Sequence, residues 1–241
     1  KRINMKTLFL SLLVTFASLA VKAQKFIIND PNAQIRTVSS FKGIKADTNF
    51  DVYITQGDED AVAVSASSAN QRDRIITKVE NGILKIGFNG NGWKWTGNQK
   101  LKAYVSVRQL EMINADGACD VELMGVIKGE KMSIKMDGAS DINGELNVNE
   151  LEMKLDGASD SRLKGRAGSL SVKLDGASKF NSYGLITDFC EVDADGASKM
   201  EITVNKELTV SAGGVSKIDF KGTGVIRDMR SSGNAKVTKK D

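Results

Sequence analysis

A tetrapeptide that returns at a nearly constant interval constrains this 241-residue chain more than any other feature. The motif is Asp-Gly-Ala followed by Cys or Ser, and its five copies start 21, 19, 19 and 20 residues apart. Two worn copies, which start at Gly213 and Ser232, follow after 18 and 19 residues. The clear copies start at Asp116, Asp137, Asp156, Asp175 and Asp195. Self-similarity at such a period is typical of a repeat architecture.

Apolar and polar residues alternate in the stretch before each motif. Leu151, Met153 and Leu155, for example, are separated by Glu152 and Lys154. A period of two is typical of a β-strand with one buried face. A further apolar position follows five residues past most motif starts, and a glycine often comes after it. Each repeat therefore predicts a strand, a tight corner and a short second strand.

No helical pattern separates the copies, so the strands could stack in parallel or form an antiparallel meander. In a meander, the same corner sequence would alternate between opposite ends of the sheet. In a parallel stack, each corner lies on its equivalent in the next coil. Seven corners of nearly one sequence favour the stack. We therefore predict an all-β fold, a parallel β-helix or solenoid-like stack of coils about 19 residues long.

Glycine is the second residue of all seven copies, which predicts a corner with positive φ or with no room for a Cβ atom. Five aspartates stacked about 4.8 Å apart would repel by roughly 1 kcal/mol per adjacent pair in water. An Asx-turn, in which each carboxylate accepts a backbone N–H, would offset this repulsion. The predicted turn ladder consists of Asp116, Gly117, Asp137, Gly138, Asp156, Gly157, Asp175, Gly176, Asp195 and Gly196.

A row of calcium sites between coils is the alternative use of these carboxylates. The acidic nonapeptide of calcium-binding β-rolls is absent from the sequence. We therefore expect no metal site and no cofactor, with calcium as the alternative.

The chain has no histidine, which removes the commonest general base, the usual nucleophilic triads and most zinc sites. A ladder of identical carboxylates is also unlike a catalytic pair, whose members lie in different environments. We therefore expect no enzymatic activity and no catalytic residue. The alternative, a calcium-assisted polysaccharide lyase or hydrolase, would show a cleft where an aspartate meets an arginine or lysine outside the repeat.

The residue four places past each motif start changes its charge along the predicted stack. It is aspartate in the first three copies and lysine in the last four, at Asp120, Asp141, Asp160, Lys179, Lys199, Lys217 and Lys236. Such an edge could guide a partner or self-association through complementary charge. The alternative is a solvated edge whose charges prevent aggregation.

The amino terminus predicts export. Lys6 precedes an apolar run from Leu8 to Ala20, and small residues near Ala23 offer a cleavage site, so residues 1–23 read as a signal peptide. Its removal would leave 30 of the 34 basic residues against 30 acidic residues, a neutral balance that gives no indication of nucleic-acid binding. No later apolar run is long enough to span a bilayer. We expect a periplasmic, outer-surface or secreted protein without a transmembrane anchor.

Residues 24–40 read as a loosely structured lead-in, and residues 41–110 as a less regular β part. Within the latter, Asn81-Gly82 between two alternating runs predicts a hairpin. A Gly- and Asn-rich stretch from Gly87 to Lys100 carries Trp93 and Trp95. These tryptophans are candidate ligand-binding residues that would stack on sugar rings or anchor a partner. The alternative is that they cover the open end of the solenoid core.

Several motifs occur in an order that resembles a known family. They are Phe41-Lys-Gly-Ile, Phe50-Asp-Val-Tyr-Ile-Thr-Gln-Gly, Val79-Glu-Asn-Gly-Ile-Leu-Lys-Ile and the later Asp-Gly-Ala-Ser repeats. Together they resemble the head GIN domain family of putative auto-transporter adhesins, secreted proteins common in Bacteroidetes. The resemblance implies a right-handed β-helix-like fold at the cell envelope. It treats residues 41–238 as a single GIN-type domain, in which residues 111–238 form the repeats.

The predicted function is a secreted cell-envelope binding or adhesion module, with glycan recognition as a leading role. Its expected partner is a cell-surface or envelope glycan or protein. Two alternatives remain open: the polysaccharide-cleaving enzyme described above, and a structural scaffold that assembles with itself through the acidic and basic halves of one edge.

Overall fold

The computed structural model describes residues 29–95 and 99–241. The predicted signal peptide, residues 1–23, lies outside the described residues, as do residues 24–28 of the lead-in. Within the described ranges, no helix is both long enough and apolar enough to cross a membrane.

The described residues form sixteen strands and one short helix. The first half of the chain contains β1 (Gln34–Arg36), β2 (Gly43–Ala46), β3 (Phe50–Gln56), β4 (Ala61–Ala66), α1 (Ala69–Arg72), β5 (Ile75–Glu80), β6 (Ile83–Phe88), β7 (Leu101–Val107) and β8 (Met112–Ala115). The second half contains β9 (Asp120–Met136), β10 (Asp141–Leu155), β11 (Asp160–Leu174), β12 (Lys179–Ala194), β13 (Lys199–Ala212), β14 (Lys217–Lys221), β15 (Val225–Ser231) and β16 (Lys236–Lys239).

Strands β9 to β13 stack in parallel in chain order, which confirms the predicted solenoid. The register between β10 and β11 places Asp141 beside Asp160 and Leu155 beside Leu174, an offset of one repeat throughout. Each repeat copy therefore lies on its equivalent in the next coil. The antiparallel meander is excluded for this region because all four pairings are parallel.

The strands of the middle coils run without interruption from one corner to the next, rather than as two separate strands. The strand β10 bends at two places. One is Gly144, which has a positive φ, and the other is near residue 149, which has no partner in β11. At the glycine bends the coils are not strictly equivalent, because Gly144 lies beside Leu163 and Gly165 lies beside Leu146. The pairings of β9 with β10, β11 with β12 and β12 with β13 shift register there and resume beyond the bend. The buried side chains form continuous columns, which in β10 are Ile142, Leu146, Val148, Leu151, Met153 and Leu155.

The N-terminal part extends the same sheet with a different topology. Strands β2 and β3 form one more parallel coil, because β2 pairs with β8 and β3 pairs with β9. One step further, β6 lies parallel to β2 and β7 lies parallel to β3. Antiparallel strands then flank the stack, with β5 on β6 and β4 on β7.

The predicted hairpin and the lead-in are both defined in the structure. The β5–β6 hairpin turns at Asn81 and Gly82, which have φ angles of 52° and 73°, so this prediction is confirmed. The described end of the lead-in is more ordered than its sequence suggests, because β1 pairs antiparallel with β4. Cys119 and Cys190 are buried free thiols.

Candidate functional site

The corners of the repeat stack through their backbones. Gly157 has a φ of 70°, and a Cβ atom built there would lie 2.4 Å from the carbonyl oxygen of Gly138. The next amide, Ala158 N–H, donates to that same oxygen at 2.7 Å. A side chain at this position would therefore displace the hydrogen bond that joins two coils. The same contact recurs at Gly138, Gly176, Gly196, Gly214 and Gly233.

The corner ladder starts one coil earlier than the sequence indicates. Ala118 N–H donates to the carbonyl oxygen of Thr48 at 2.7 Å, and Thr48 has a φ of 84°. Asp47 and Thr48 therefore form the first corner, between β2 and β3. The sequence hides this corner because it lacks the glycine and stands 69 residues before Asp116. The alanine before the aspartate, shared by Ala46 and Ala115, is the one signal that links the two corners.

The aspartates of the ladder bind their own corners. The Oδ1 atoms of Asp137, Asp156, Asp175 and Asp195 each accept the N–H of the following glycine at 2.7 to 2.8 Å. This is the carboxylate-to-backbone bond expected of a structural turn, and it offsets the repulsion between neighbouring carboxylates. In the described part of the chain, no group of three or more His, Cys, Asp or Glu side chains could hold a metal ion.

In the first four copies, the fourth residue of the motif is buried and closes the turn, whereas the buried hydroxyl of Ser198 in the fifth copy has no hydrogen-bond partner. The hydroxyls of Ser140 and Ser159 each donate to the carbonyl oxygen of the aspartate three residues earlier, at 2.9 Å. The thiol of Cys119 makes the same contact with Asp116 at 3.4 Å. These bonds, together with the backbone bonds between corners, hold the coils of the ladder together.

A charge column runs beside the ladder, one position further along each coil. The register aligns Asp51, Asp120, Asp141, Asp160, Lys179, Lys199, Lys217 and Lys236. The predicted change of sign is confirmed, and Asp51 extends the acidic half by one coil. Burial and the charges of Asp160 and Asp120 raise the pKa of Asp141, although Arg162 opposes the shift.

Neighbouring side chains compensate much of this column. Lys100 Nζ lies 2.9 Å from Asp51 and 3.1 Å from Asp120. In the basic half, Lys217 Nζ lies 2.8 Å from Asp219. These pairs lie within the chain, so the column has less free charge for a partner than its sequence suggests.

The described residues between β6 and β7, 89–95 and 99–100, are named the Trp loop and stand where other coils have a corner. The Trp loop lies between β6 and β7, just as the three-residue corner at Asp47 lies between β2 and β3 in the adjacent coil. The Trp loop therefore continues the line of the corner ladder at its N-terminal end. The parallel pairings of β6 with β2 and of β7 with β3 do not restrict the length of this connection. It can therefore contain residues that the short corners cannot accommodate.

Three aromatic side chains form a cluster at the Trp loop. The ring centroids of Phe88 and Trp93 lie 5.7 Å apart, and those of Phe88 and Trp95 lie 5.1 Å apart. The two indoles meet edge to face at 6.5 Å. The guanidinium carbon of Arg74 lies 5.2 Å from the centre of the Trp93 ring, a distance at which a cation–π contact is favourable.

The two tryptophans have different surroundings. Trp93 is half-buried, and its Nε1–H donates to Gln99 Oε1 at 3.2 Å. The same oxygen lies 3.5 Å from Nε2 of Gln71, which is buried in α1. Trp93 thus belongs to the closure of the N-terminal end, while Trp95 is 44% exposed. The Trp loop combines one fixed ring with one ring that a ligand can reach.

A groove on another side of the N-terminal part has a volume of 840 Å³, and Phe41, Ile83, Arg108 and Met112 are among its lining residues. Here an aspartate meets an arginine outside the repeat, the arrangement expected of the enzymatic alternative. Arg108 donates to both carboxylate oxygens of Asp60, from its backbone N–H at 2.9 Å and from its side chain at 2.9 and 3.1 Å.

The state of Asp60 favours a structural use for this pair. Burial disfavours the charged form of Asp60, but the hydrogen bonds from Arg108 outweigh burial and hold its pKa below the usual value. A general acid needs a pKa raised towards the working pH. Asp60 instead fixes the end of β7 against the turn that precedes β4.

Comparisons with known proteins agree with the observed fold. The family model described as putative auto-transporter adhesin, head GIN domain, matches residues 40–224. A solved putative adhesin from Bacteroides fragilis is 20% identical and has a TM-score of 0.75 over 86% of this chain and 94% of its own. A putative adhesin from Parabacteroides merdae is 14% identical, with a TM-score of 0.67 over 87% and 95% of the two chains.

A third structure, a putative lipid binding protein from Parabacteroides distasonis, is 18% identical and has a TM-score of 0.66 over 88% of this chain and 98% of its own. No match is found among curated proteins. At these identities the three structures show a shared fold.

Proposed function

Because the chain belongs to the head GIN domain family of putative auto-transporter adhesins, we propose that it is an exported adhesion module that binds a cell-envelope glycan through the Trp loop. Residues 1–23 would direct export as a signal peptide. The solenoid would act as a rigid stalk, and recognition would take place at its N-terminal end.

The exposed ring of Trp95 carries this proposal. Aromatic rings bind sugars by stacking on their apolar faces, and they do so best when the ring is held in place before binding. Phe88 and Trp93 pack against Trp95 and restrict its orientation. Arg74 lies beside the cluster and donates to the carbonyl oxygen of Asn91 at 2.8 Å, which stabilises the loop. The cluster therefore offers one accessible apolar ring with polar groups around it.

The surroundings of the ladder support recognition over cleavage. Its aspartates are engaged with their own corner glycines, and Asp60 is paired with Arg108. Recognition needs only a fixed surface, which the Trp loop provides. Hydrolysis would need a carboxyl group whose pKa is raised beside a second, ionised one. Asp141 beside Asp160 is a candidate of that kind, so an assay for cleavage tests this alternative directly.

The proposal is tested by binding of residues 24–241 to an array of glycans and envelope polymers, with and without calcium. We expect Trp95→Ala to weaken binding at least about tenfold, which corresponds to about 1.4 kcal/mol. Phe189→Ala is the matched control, because Phe189 is an equally exposed aromatic side chain on a distant coil. Binding that tolerates Trp95→Ala but not Phe189→Ala would contradict the assignment to the Trp loop.

The same polymers should be assayed for new chain ends. We expect none, with or without calcium. Calcium-dependent cleavage would instead support the enzymatic alternative and return attention to the aspartates of the repeat. Absence of any glycan binding would favour a protein partner.

A further inference from the structure

The two ends of the solenoid close their cores differently. At the N-terminal end, the core columns finish in residues that other elements cover, such as Ile75, which is 5% exposed. Gln71 of α1 is buried there, and β1 pairs with β4. The N-terminal end is therefore closed over its core.

The C-terminal end leaves its core columns open. Strand β15 pairs with β13 and places Ile226 beside Leu208 and Met229 beside Val210. Leu208 and Val210 are buried, whereas Ile226 is 42% and Met229 is 51% exposed. All seven residues of β15 are exposed. Within residues 29–95 and 99–241, no further coil covers these two apolar side chains at core positions.

An exposed edge strand also presents backbone N–H and C=O groups to any strand that can pair with it. Natural edge strands commonly carry lysines that repel other chains. The charged residues of β15 are instead Arg227, Asp228 and Arg230, which alternate in sign. Alternating charge permits pairing with a strand of complementary pattern.

We propose that the C-terminal end docks a second copy of this chain through antiparallel pairing of β15 with the β15 of the partner. A twofold axis between residues 227 and 228 would place Ile226 opposite the partner's Met229. It would also place Arg227 opposite the partner's Asp228. Within one chain Arg227 pairs with Glu207 and Asp228 with Arg230, and these exposed, weak pairs would be exchanged on docking. One register thus matches apolar with apolar and opposite charges with each other.

An irregularity in β15 makes this register consistent with the sheet. The pairing with β13 shifts between Leu208 and Thr209, so Arg227 is an extra residue in the strand. Because of this bulge, Ile226 and Met229 point to the same inner side although they are three residues apart. Both apolar pairs of the twofold arrangement therefore lie on the core side, where they would continue the columns of β13.

The lysines of the adjacent strand β16 do not block this contact. Lys239 Nζ donates to the carbonyl oxygen of Gly224 at 3.1 Å and lies 5.7 Å from the ring centre of Phe220. Lys240 Nζ lies 3.8 Å from Asp219. These side chains are engaged within their own chain. Because a twofold contact uses the same surface of both copies, association through β15 would stop at a dimer.

Sedimentation equilibrium of residues 24–241 over a roughly hundredfold concentration range tests this proposal. A contact of one strand pair is small, so we expect a dimer with a dissociation constant in the micromolar range, to order of magnitude. Arg227→Asp and Asp228→Arg should each weaken the dimer at least about tenfold, because like charges would face each other. The double variant R227D/D228R should restore it.

The apolar part of the contact has its own variant and control. Met229→Lys should give a monomer, whereas Ile76→Lys should leave the dimer intact, because Ile76 is an equally exposed residue on the edge strand β5 at the opposite end. Both sites are exposed, so the variants should fold, as circular dichroism would verify. A monomeric wild-type protein, a dimer that tolerates Met229→Lys, or a charge swap that fails to restore association would each overturn the proposal.

Discussion

The corners of the middle coils and the Trp loop occupy the same position in successive coils but are built in different ways. In the middle, a four-residue corner is so closely stacked that the Cβ of a residue at Gly157 would lie 2.4 Å from the coil before it. In the Trp loop, Gly92 has nearly the same φ, 68°, and nothing within 4 Å of its Cβ position. Close stacking restricts which residues the corners of the middle coils can contain. The position of Gly92 in the Trp loop is free of this restriction.

The same contrast extends to the stabilising contacts. The middle coils use one set of backbone bonds again and again, as in Ala139 to Gly117 and Ala158 to Gly138. The N-terminal part uses side-chain contacts that occur once, such as Tyr104 with Asp30 at 2.8 Å and Arg108 with Asp60. Substitution of a corner glycine should disrupt a repeated backbone bond, whereas most side-chain substitutions should not. A single ion pair is lost when either of its two side chains is replaced.

The largest expected effect comes from valine at the two glycines. Gly157→Val should lower the free energy of unfolding by more than about 4 kcal/mol, because strain at positive φ adds to a clash with backbone. Gly92→Val should cost only about 1 to 2 kcal/mol, the strain alone. Chemical denaturation of both variants gives the comparison. Equal losses would mean that the middle corners are not stacked as described.

A smaller difference should separate two ion pairs. Arg108→Ala leaves the carboxylate of Asp60, which is 7% exposed, with its backbone N–H bond but without its ion-pair partner, and should cost about 2 to 3 kcal/mol. Lys135→Ala removes a contact of 3.5 Å between exposed side chains, Lys135 and Asp137, and should cost less than about 1 kcal/mol. Thermal and urea unfolding would measure both. A larger loss for Lys135→Ala would reverse the proposed division between the two regions.

Two carboxyl groups, Asp60 of the N-terminal part and Asp141 of the repeats, should respond to acid with opposite sign. The pKa of Asp60 is lowered, so its ionised form stabilises the fold above the usual value of 3.8, and this contribution is lost as pH falls through the folded pKa. Hydrogen bonds lower the pKa of Asp30 against the effect of burial, with the same consequence. The pKa of Asp141 is raised, so its ionisation opposes folding, and this cost disappears as pH falls towards 3.8.

Unfolding of two variants at pH 7 and pH 3 separates these contributions. Asp60→Asn should be less stable than wild type at pH 7, and the deficit should shrink at pH 3. Asp141→Asn should be more stable than wild type at pH 7, and this advantage should shrink at pH 3. A change in unfolding free energy of the same sign for both variants at pH 7 would contradict the environments assigned to Asp60 and Asp141.

The smallest effect is expected at a ladder aspartate. Asp156→Ser loses one bond to the Gly157 N–H but removes a charge that its two neighbours repel. Serine can make the same local bond more weakly, and Ser232 already stands at this position in the last copy. The change in unfolding free energy should stay within about 0.5 kcal/mol, as measured by urea titration. A metal site would be indicated if the variant lost several kcal/mol and if added calcium stabilised the wild type but not the variant.

The sequence predicted the repeated part of the fold because every coil meets the same constraints. The period, the core columns, the corner glycines and the change of sign in the charge column all follow from residues that recur. The corner at Thr48 was missed because Thr48 has a positive φ although it is not a glycine. Its role as a corner is evident only from its contact with Gly117 in the next coil.

Contacts that occur only once could not be predicted in this way. The half-burial of Trp93 depends on its contacts with Gln99 and Phe88, and the position of Trp95 on its contact with Phe88. None of these contacts follows from a repeat period. The strand at Gln34–Arg36 exists because β4 offers it an edge, and its own sequence carries little β signal. The open columns at Ile226 and Met229 likewise depend on the absence of a following coil within the described residues.

Amide hydrogen exchange at the corners tests the stacked solenoid most directly. The N–H groups of Ala139, Ala158, Ala177 and Ala197 each donate to the preceding corner at 2.7 to 2.8 Å, although these residues lie at the surface. We predict that they exchange at least about a thousandfold more slowly than the exposed amide of Gly92, because exchange requires the coils to separate. Corner amides that exchange as fast as the Trp loop would contradict the account.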